Sequence, residues 1–109
     1  DILIYRLVYN LVENAIKYNH TGGQVTVTAD RKEKQVHLSV ADTGNGIPEE
    51  LRERVFEPFF RVDKSRSRAL GGVGLGLALV HEIVRVHDGS ITVRSNPSGG
   101  TIFDVMFAQ

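Results

Sequence analysis

The sequence predicts an α/β two-layer sandwich in which helices cover one face of a mixed, mostly antiparallel sheet. Two long segments carry apolar residues at helical spacing, and four short segments alternate apolar and polar residues as half-buried strands do. Tight turns join the strands in pairs, and strands joined in this way run antiparallel. The order helix, two strands, short helix, irregular segment, helix, two strands therefore places the helices together in one layer.

The first half of the chain contains one long helix and two strands. The helix is predicted over residues 2–18, and turn residues at 19–23 end it. The helix turns one apolar stripe toward the core: Ile4, Leu7, Leu11 and Ala15. Alternation at 24–29 predicts the first strand, and a charged hairpin turn follows at 30–34. The second strand then ends near Asp42.

The second half begins with a short helix predicted over 49–55, with Pro48 at its start. Residues 56–74 have no clean period, and irregular segments of this length are often lids or binding loops. A second long helix is predicted over 75–87. Its core-facing stripe is Leu79, Val80, Ile83 and Val84. The closing strands are predicted from the apolar residues Ile91, Val93, Ile102, Val105 and Phe107.

Composition excludes several classes of protein. The chain has 109 residues, which suits one domain, and it lacks cysteine, which excludes disulfides and thiolate metal sites. Its 13 basic and 13 acidic residues give a net charge of zero, which argues against a general nucleic-acid binder. No apolar run approaches the roughly 20 residues of a membrane span. Because the sequence opens as a helix without methionine, we expect a domain of a longer protein.

Polar residues on the first helix form the first candidate site. At about 100° per residue, Asn10, Asn14 and Lys17 fall within about 60° of one another. Asparagine is mildly unfavourable inside a helix, whereas its amide oxygen suits Mg²⁺ and a nearby ammonium suits phosphate. A solvated polar face is the alternative interpretation. Glu13 lies about 60° off this strip and is expected at the surface.

The second candidate site follows the second strand, where residues 42–47 read DTGNGI. The carboxylate of Asp42 can accept a hydrogen bond from an exocyclic amine such as adenine N6. Gly44 and Gly46 allow the backbone to come close to a ligand. An ordinary turn is the alternative interpretation, because Asp, Asn and Gly are common in turns.

The third candidate site reads GGVGLGL at 71–77 and leads into the second long helix. Glycines there free backbone N–H groups to hold an anion at the helix N-terminus. A P-loop is excluded because Leu77 and Ala78 stand where Lys and Ser or Thr are required, and the GxGxG spacing excludes a dinucleotide fingerprint. Residues 61–68 carry four bases and one acid, a local charge of +3 that favours phosphate. A flexible hinge and a solvated charge run are the alternatives.

Taken in order and with their spacing, these motifs resemble those of the sensor histidine kinases. NLVENAIKY at 10–18 resembles the N box, and DTGNGI at 42–47 resembles the first glycine box. FEPFFRVDKS at 56–65 resembles the F box, and GVGLGL at 72–77 resembles the second glycine box. The GGTxF pattern at 99–103 is also similar. The four boxes together are highly specific, and the resemblance covers nearly the whole chain.

The resemblance implies the Bergerat ATP-binding fold, with ATP and Mg²⁺ as cofactors. It implies that Asn14 coordinates Mg²⁺ and that Asn10 assists at the phosphates and the metal. It also implies that Lys17 contacts phosphate, that Tyr18 contacts the nucleotide and that Asp42 binds the adenine amine.

Other residues acquire expected roles from the same resemblance. Arg61 is expected to reach the γ-phosphate from an ATP lid at about 56–74, and Thr101 to join an adenine hydrogen-bond network. The remaining nucleotide contacts are expected to shape the pocket or to fold over the triphosphate: Gly44, Gly46, Ile47, Gly72, Gly74, Leu75, Gly76 and Leu77.

The function implied by the resemblance is transfer of the γ-phosphoryl group of Mg·ATP to a histidine on the dimerisation domain of the same sensor kinase. An aspartate on a response regulator receiver domain is the next acceptor in such two-component signalling. Residues 1–109 are expected to be the catalytic domain, with the acceptor histidine elsewhere. His81-Glu82 is rejected as an acceptor because Val86 stands where the family has Pro, and as a zinc motif because Arg85 replaces the second ligand. The whole protein is expected to be a membrane-associated homodimer with this domain in the cytosol.

Position 10 separates the alternatives within the superfamily. Gyrase-like hydrolases and serine-directed anti-sigma kinases have, four residues before the metal-binding Asn, a Glu that activates the nucleophile. Asn10 occupies that place here, as in histidine kinases, which disfavours the serine-directed kinase. A non-catalytic nucleotide-binding adaptor is the alternative of another class, and the intact motif residues argue against it.

Overall fold

The computed structural model describes residues 2–58, 60 and 75–108. Its regular elements are α1 (Ile2–Lys17), β1 (Val25–Lys32), β2 (Gln35–Asp42), α2 (Gly76–Val86), β3 (Ser90–Ser95) and β4 (Thr101–Ala108). Two 3₁₀ turns, Glu49–Leu51 and Arg54–Phe56, follow β2. In the described part of the chain, no helix has both the length and the apolar character needed to cross a membrane.

The predicted α/β two-layer sandwich is confirmed. The strands lie in the order β1-β2-β4-β3, and all three pairings are antiparallel. Within the described residues the sheet therefore lacks the parallel pairing that a mixed sheet requires. The reason is that β4 lies between β2 and β3 and runs opposite to both.

The first hairpin has a tighter turn than the sequence predicts. Lys32 pairs with Gln35, so that only Glu33 and Lys34 connect the two strands, and Glu33 adopts a φ of 56°. The turn predicted at 30–34 is wrong in its extent. The charged residues before Glu33 continue β1 because the strand lies at the edge of the sheet, where their side chains remain exposed.

Helix α1 packs its predicted apolar stripe into the core. Leu7 and Leu11 are fully buried, Ala15 is nearly so, and Ile4 is half-buried. The stripe meets both the inner face of the sheet and the buried side of α2. Its partners in this core are Leu38, Val40, Val80, Ile83, Val84, Phe103 and Val105.

Helix α2 buries three of the four residues predicted for its stripe. Val80, Ile83 and Val84 are buried, whereas the prediction for Leu79 is wrong, because this residue is 39% exposed. Leu79 lies about 100° around the helix from Val80 and so falls outside the buried side. Leu77 packs against the core instead.

The short helix predicted over 49–55 is also wrong, because the segment forms two separate 3₁₀ turns. In the first turn, the N–H of Leu51 donates to the carbonyl oxygen of Pro48 at 2.9 Å, a bond that spans three residues. Val55 is the buried residue of the two turns. A segment with so little apolar surface to bury cannot hold a longer helix against the core.

Replacing Leu7 with alanine is expected to lower the free energy of unfolding by about 3 kcal/mol, because it leaves a cavity between α1 and the rest of the core. Ile16→Ala is the matched control, because Ile16 is 62% exposed on the same helix. Its expected cost is below about 1 kcal/mol. Urea denaturation of both variants measures the difference, and equal losses would contradict the packing described above.

Candidate functional site

The candidate site is centred on the carboxylate of Asp42, the last residue of β2. This side chain is only 6% exposed. Its Oδ1 accepts hydrogen bonds from the backbone N–H of Gly44 at 2.9 Å and of Thr101 at 3.2 Å. In the described part of the chain no hydrogen bond reaches Oδ2. A buried carboxylate with one committed oxygen and one available oxygen is suited to accept a hydrogen bond from a ligand.

Two glycines allow three backbone segments to meet at this carboxylate. A Cβ at Gly100 would lie 2.7 Å from Oδ1 of Asp42 and would overlap its carbonyl oxygen, and the φ of Gly100 is 96°. A Cβ at Gly44 would overlap the carbonyl oxygen of Tyr18. The end of α1, the segment after β2 and the start of β4 can therefore approach one another only with glycine at both positions.

A small hydrogen-bond cluster joins the end of α1 to the same segment. The amide of Asn19 donates to the carbonyl oxygen of Gln24 at 2.9 Å. Thr43 accepts from the N–H of Gln24 at 2.8 Å through Oγ1. Sequence reasoning treated Asn19 only as a turn residue, and nothing in the local sequence signals its partner.

The turn between β3 and β4, together with the 3₁₀ region, holds both ends of segment 42–47. The amide of Asn96 donates to the carbonyl oxygen of Asp42 at 2.8 Å. The guanidinium of Arg52 donates to the carbonyl oxygen of Ile47 at 3.4 Å and to Oγ of Ser95 at 2.6 Å. Sequence reasoning missed both residues because their partners are distant in the chain.

The polar strip predicted on α1 is present on one side of that helix. The amide of Asn10 donates to the carbonyl oxygen of Arg6 at 2.7 Å. Lys17 forms an ion pair with Glu13 at 3.3 Å. The side chain of Asn14 is half-buried and makes no hydrogen bond among the described residues. Its amide oxygen is thus available to a ligand.

Helix α2 begins beside this strip. Oδ1 of Asn10 lies 3.2 Å from the position that a Cβ of Gly76 would take, so glycine keeps the two helices close there. Within the described part of the chain, no side chain caps the N-terminus of α2 at Leu75, and the first turn contains no acidic residue. Unpaired N–H groups at such a terminus, together with the helix dipole, attract an anion.

Helix α1 sets the length of the site. The carbonyl oxygen of Tyr18 approaches Gly44 near the Asp42 carboxylate, and Oδ1 of Asn10 approaches Gly76 at the start of α2. These two contacts are about 12 Å apart along the helix at 1.5 Å per residue. The site thus has a carboxylate at one end, a helix N-terminus at the other, and Asn14 between them. This polarity fits an elongated ligand with an amine at one end and anionic groups at the other.

Other predicted site residues differ in where they lie. Ile47 and Leu77 pack against the hydrophobic core, whereas Leu75 is exposed. Thr101 is buried and reaches Asp42 through its backbone N–H rather than through its hydroxyl. Three further predicted residues lie outside the described residues: Arg61, Gly72 and Gly74.

Comparison with known proteins identifies the relatives of this chain. The sequence pattern of the family described as "Histidine kinase-, DNA gyrase B-, and HSP90-like ATPase" matches residues 1–109. The sensor-like histidine kinase SenX3 of Mycolicibacterium smegmatis is 46% identical over 107 residues, which cover 98% of this chain and 28% of SenX3. The chain spans about a quarter of the length of the curated relatives it matches.

Solved structures agree with the sequence relatives. The mycobacterial sensor histidine kinase MprB matches with a TM-score of 0.83 and 35% identity, covering 94% of this chain and 70% of the MprB chain. Full-length ShkA in complex with AMPPNP matches with a TM-score of 0.80 and 32% identity, covering 98% and 22%. Histidine kinase ThkA in complex with response regulator protein TrrA matches with a TM-score of 0.76 and 30% identity, covering 96% and 28%.

Substitutions at Gly99 and Gly100 separate two effects on the free energy of unfolding: the close approach of Gly100 to Asp42 and the strain of a positive φ. Gly99 and Gly100 both have positive φ, but a Cβ at Gly99 would meet nothing within 4 Å. Gly99→Ala is therefore expected to cost about 1 kcal/mol of unfolding free energy from strain alone. Gly100→Ala is expected to cost at least about 2 kcal/mol more, because its Cβ displaces the Asp42 backbone. Urea denaturation that gave equal losses would contradict the close approach.

Proposed function

The chain belongs to the family of histidine kinase-, DNA gyrase B- and HSP90-like ATPases, and we propose that it is the catalytic domain of a sensor histidine kinase, which binds Mg·ATP and passes the γ-phosphoryl group to a histidine. The acceptor histidine belongs to the dimerisation domain of the same kinase, and a response regulator aspartate follows it. One observation carries this proposal. A polar face of α1 has at one end a buried carboxylate that uses only one of its two oxygens in internal hydrogen bonds, and at the other end the N-terminus of α2.

Adenine binds at the Asp42 end of the site. Both backbone donors to Asp42 use Oδ1, so Oδ2 is left to accept the exocyclic amine. A carboxylate has no proton to donate at neutral pH, which favours a base that presents an amine over one that presents a carbonyl. Ile47 packs beside this end and supplies an apolar wall, while Gly44 and Gly46 keep the segment close to the base.

The triphosphate extends along α1 toward α2. The backbone N–H groups at Gly76 and Leu77 face it from the helix N-terminus, and the ammonium of Lys17 supplies positive charge. Lys17 is paired with Glu13 in the structure, and it exchanges this half-buried partner for phosphate at little cost, because ion pairs that remain accessible to water are weak. By the family resemblance, Arg61, Gly72 and Gly74 belong to the same phosphate region.

Asn14 fits a role in Mg²⁺ binding. Its amide oxygen has no competing hydrogen bond in the described residues, and no three His, Cys, Asp or Glu side chains come together there to hold an ion by themselves. Mg²⁺ in proteins commonly takes one or two side-chain oxygens and completes its shell with phosphates and water. When bound, the ion neutralises charge on the β- and γ-phosphates.

Among the described residues, the site offers no base at the position from which related hydrolases activate water. Asn10 occupies the position at which related hydrolases carry Glu, and its amide is held by the carbonyl oxygen of Arg6. Glu13 lies about 60° around α1 from Asn10 and about 100° from Asn14, outside the strip that carries the asparagines. The nucleophile is therefore a ring nitrogen of the acceptor histidine on another domain. It forms a bond to the γ-phosphorus as the bond to the β–γ bridging oxygen breaks, and ADP leaves.

Asp42→Asn tests adenine recognition without removing the internal bonds, because Asn still offers one oxygen to Gly44 and Thr101. The other oxygen becomes an N–H₂ donor that faces the adenine amine. We expect ATP affinity to fall at least tenfold, as for loss of a hydrogen bond to a charged group.

The matched control is Asp104→Asn. Asp104 lies on the opposite face of the sheet, where it pairs with Arg94, so ATP affinity should stay unchanged. Isothermal titration calorimetry measures both variants. An ATP affinity for Asp42→Asn within twofold of wild type would refute the adenine assignment.

Asn14→Ala tests the metal role. Because the side chain makes no hydrogen bond in the described residues, the fold should tolerate its loss. We expect the tightening of ATP binding by Mg²⁺ to fall about tenfold, while binding in EDTA stays as in wild type. Titration of ATP with and without Mg²⁺ measures this, and an unchanged response to Mg²⁺ would rule Asn14 out as a ligand.

A further inference from the structure

We propose that Asn96 is a positioning residue for nucleobase selection: it holds the β3–β4 turn against Asp42 so that Oδ2 points at the adenine amine. This inference rests on the proposed function, and it adds a residue that the sequence motifs do not include. Asn96 lies just after β3, and its side chain reaches the end of β2, 54 residues away.

Asn96 uses both atoms of its amide. Nδ2 donates to the carbonyl oxygen of Asp42 at 2.8 Å, and Oδ1 accepts from the N–H of Ser98 at 3.1 Å. Its backbone N–H donates to the carbonyl oxygen of Gly100 at 3.1 Å, and its carbonyl oxygen accepts from the N–H of Gly99 at 2.8 Å. One residue thus orders the turn internally and ties it to the strand that carries the carboxylate.

The turn transmits this constraint to the carboxylate through two direct contacts. The backbone of Gly100 packs against both Oδ1 and the carbonyl oxygen of Asp42. The next N–H, that of Thr101, is one of the two donors to Oδ1. The terminal torsion of an aspartate side chain is soft, so its orientation depends on such donors. If the turn moves away from β2, one donor is lost and Oδ2 no longer has a fixed direction.

The chemistry of the side chain explains why Asn suits position 96. Aspartate keeps an oxygen for the N–H of Ser98 but has no proton to donate to the carbonyl oxygen of Asp42 at neutral pH. Alanine offers neither group. Asn96→Asp therefore removes the link between turn and strand while keeping the bond inside the turn, and Asn96→Ala removes both.

The test compares ATP with purine riboside 5′-triphosphate, which lacks the exocyclic amine. Wild type should bind ATP at least tenfold more tightly, since the difference is one hydrogen bond to a carboxylate. In Asn96→Ala and in Asn96→Asp this ratio should fall to about threefold or less. Ser98→Ala is the control: its backbone N–H still reaches Asn96, so the ratio should match wild type. Calorimetric titration with Mg²⁺ gives all the ratios.

The outcomes separate this inference from the proposed function. If the Asn96 variants weaken both ligands equally and keep the wild-type ratio, Asn96 has only a structural role and the inference is wrong. If wild type itself binds the two ligands equally, adenine recognition by Asp42 fails, and this inference fails with it. Should Asn96→Ala not fold, as judged by circular dichroism, Asn96→Asp gives the same discrimination.

Discussion

The burial of one side of α1 fixes the rotation of this helix, and the rest of the candidate site follows from that rotation. Leu7 and Leu11 are fully buried between the sheet and α2. Asn10 lies about 80° around the helix from the mean direction of these two leucines, and Asn14 about 40°. On this side of the helix Asn10 approaches Gly76 at the start of α2, and the carbonyl oxygen of Tyr18 approaches Gly44 in the segment after β2. A rotation of α1 that moved the asparagines away from this position would also expose the buried leucines to water. This exposure would cost several kcal/mol.

Hydrogen bonds, rather than apolar packing, fix the position of the Asp42 carboxylate. Donors from two different segments, Gly44 and Thr101, converge on one oxygen of a buried carboxylate. Asn96 and Arg52 then hold the flanking backbone. Buried polar groups that are partnered in this way have fixed orientations, and an atom among them without a partner can accept a hydrogen bond from a ligand. This distinguishes Oδ2 of Asp42 from an ordinary turn carboxylate.

Sequence periodicity and motif spacing predicted the structural features that depend on local sequence. The two amphipathic helices, the four strands and the candidate residues on α1 follow from periodicity and motif spacing, because each signal lies within one segment. The prediction that Leu79 is buried was wrong because the sequence does not distinguish an apolar residue beside a buried stripe from a residue within the stripe. The error at 49–55 arose because a helical composition was present without enough apolar surface to bury.

The contacts that position the site could not be predicted in this way. Asn96 and Asp42 are 54 residues apart, and Arg52 and Ser95 are 43 apart, so neither pair leaves a trace in local spacing. The parallel pairing implied by a mixed sheet is absent from the described strands because β4 occupies the place beside β2. Such features depend on which segments meet in space, and topology alone decides that.

The most direct test of the account is phosphoryl transfer to a histidine. The chain is mixed with Mg²⁺, ATP labelled at the γ-phosphate and a separately purified dimerisation domain that carries the acceptor histidine. The account predicts acid-labile, base-stable phosphate on the dimerisation domain, and this phosphate is lost when the acceptor histidine is replaced by alanine. Without the dimerisation domain, the account predicts only slow release of phosphate from ATP. Rapid hydrolysis of ATP without any acceptor, or acid-stable phosphate on serine, would contradict the account.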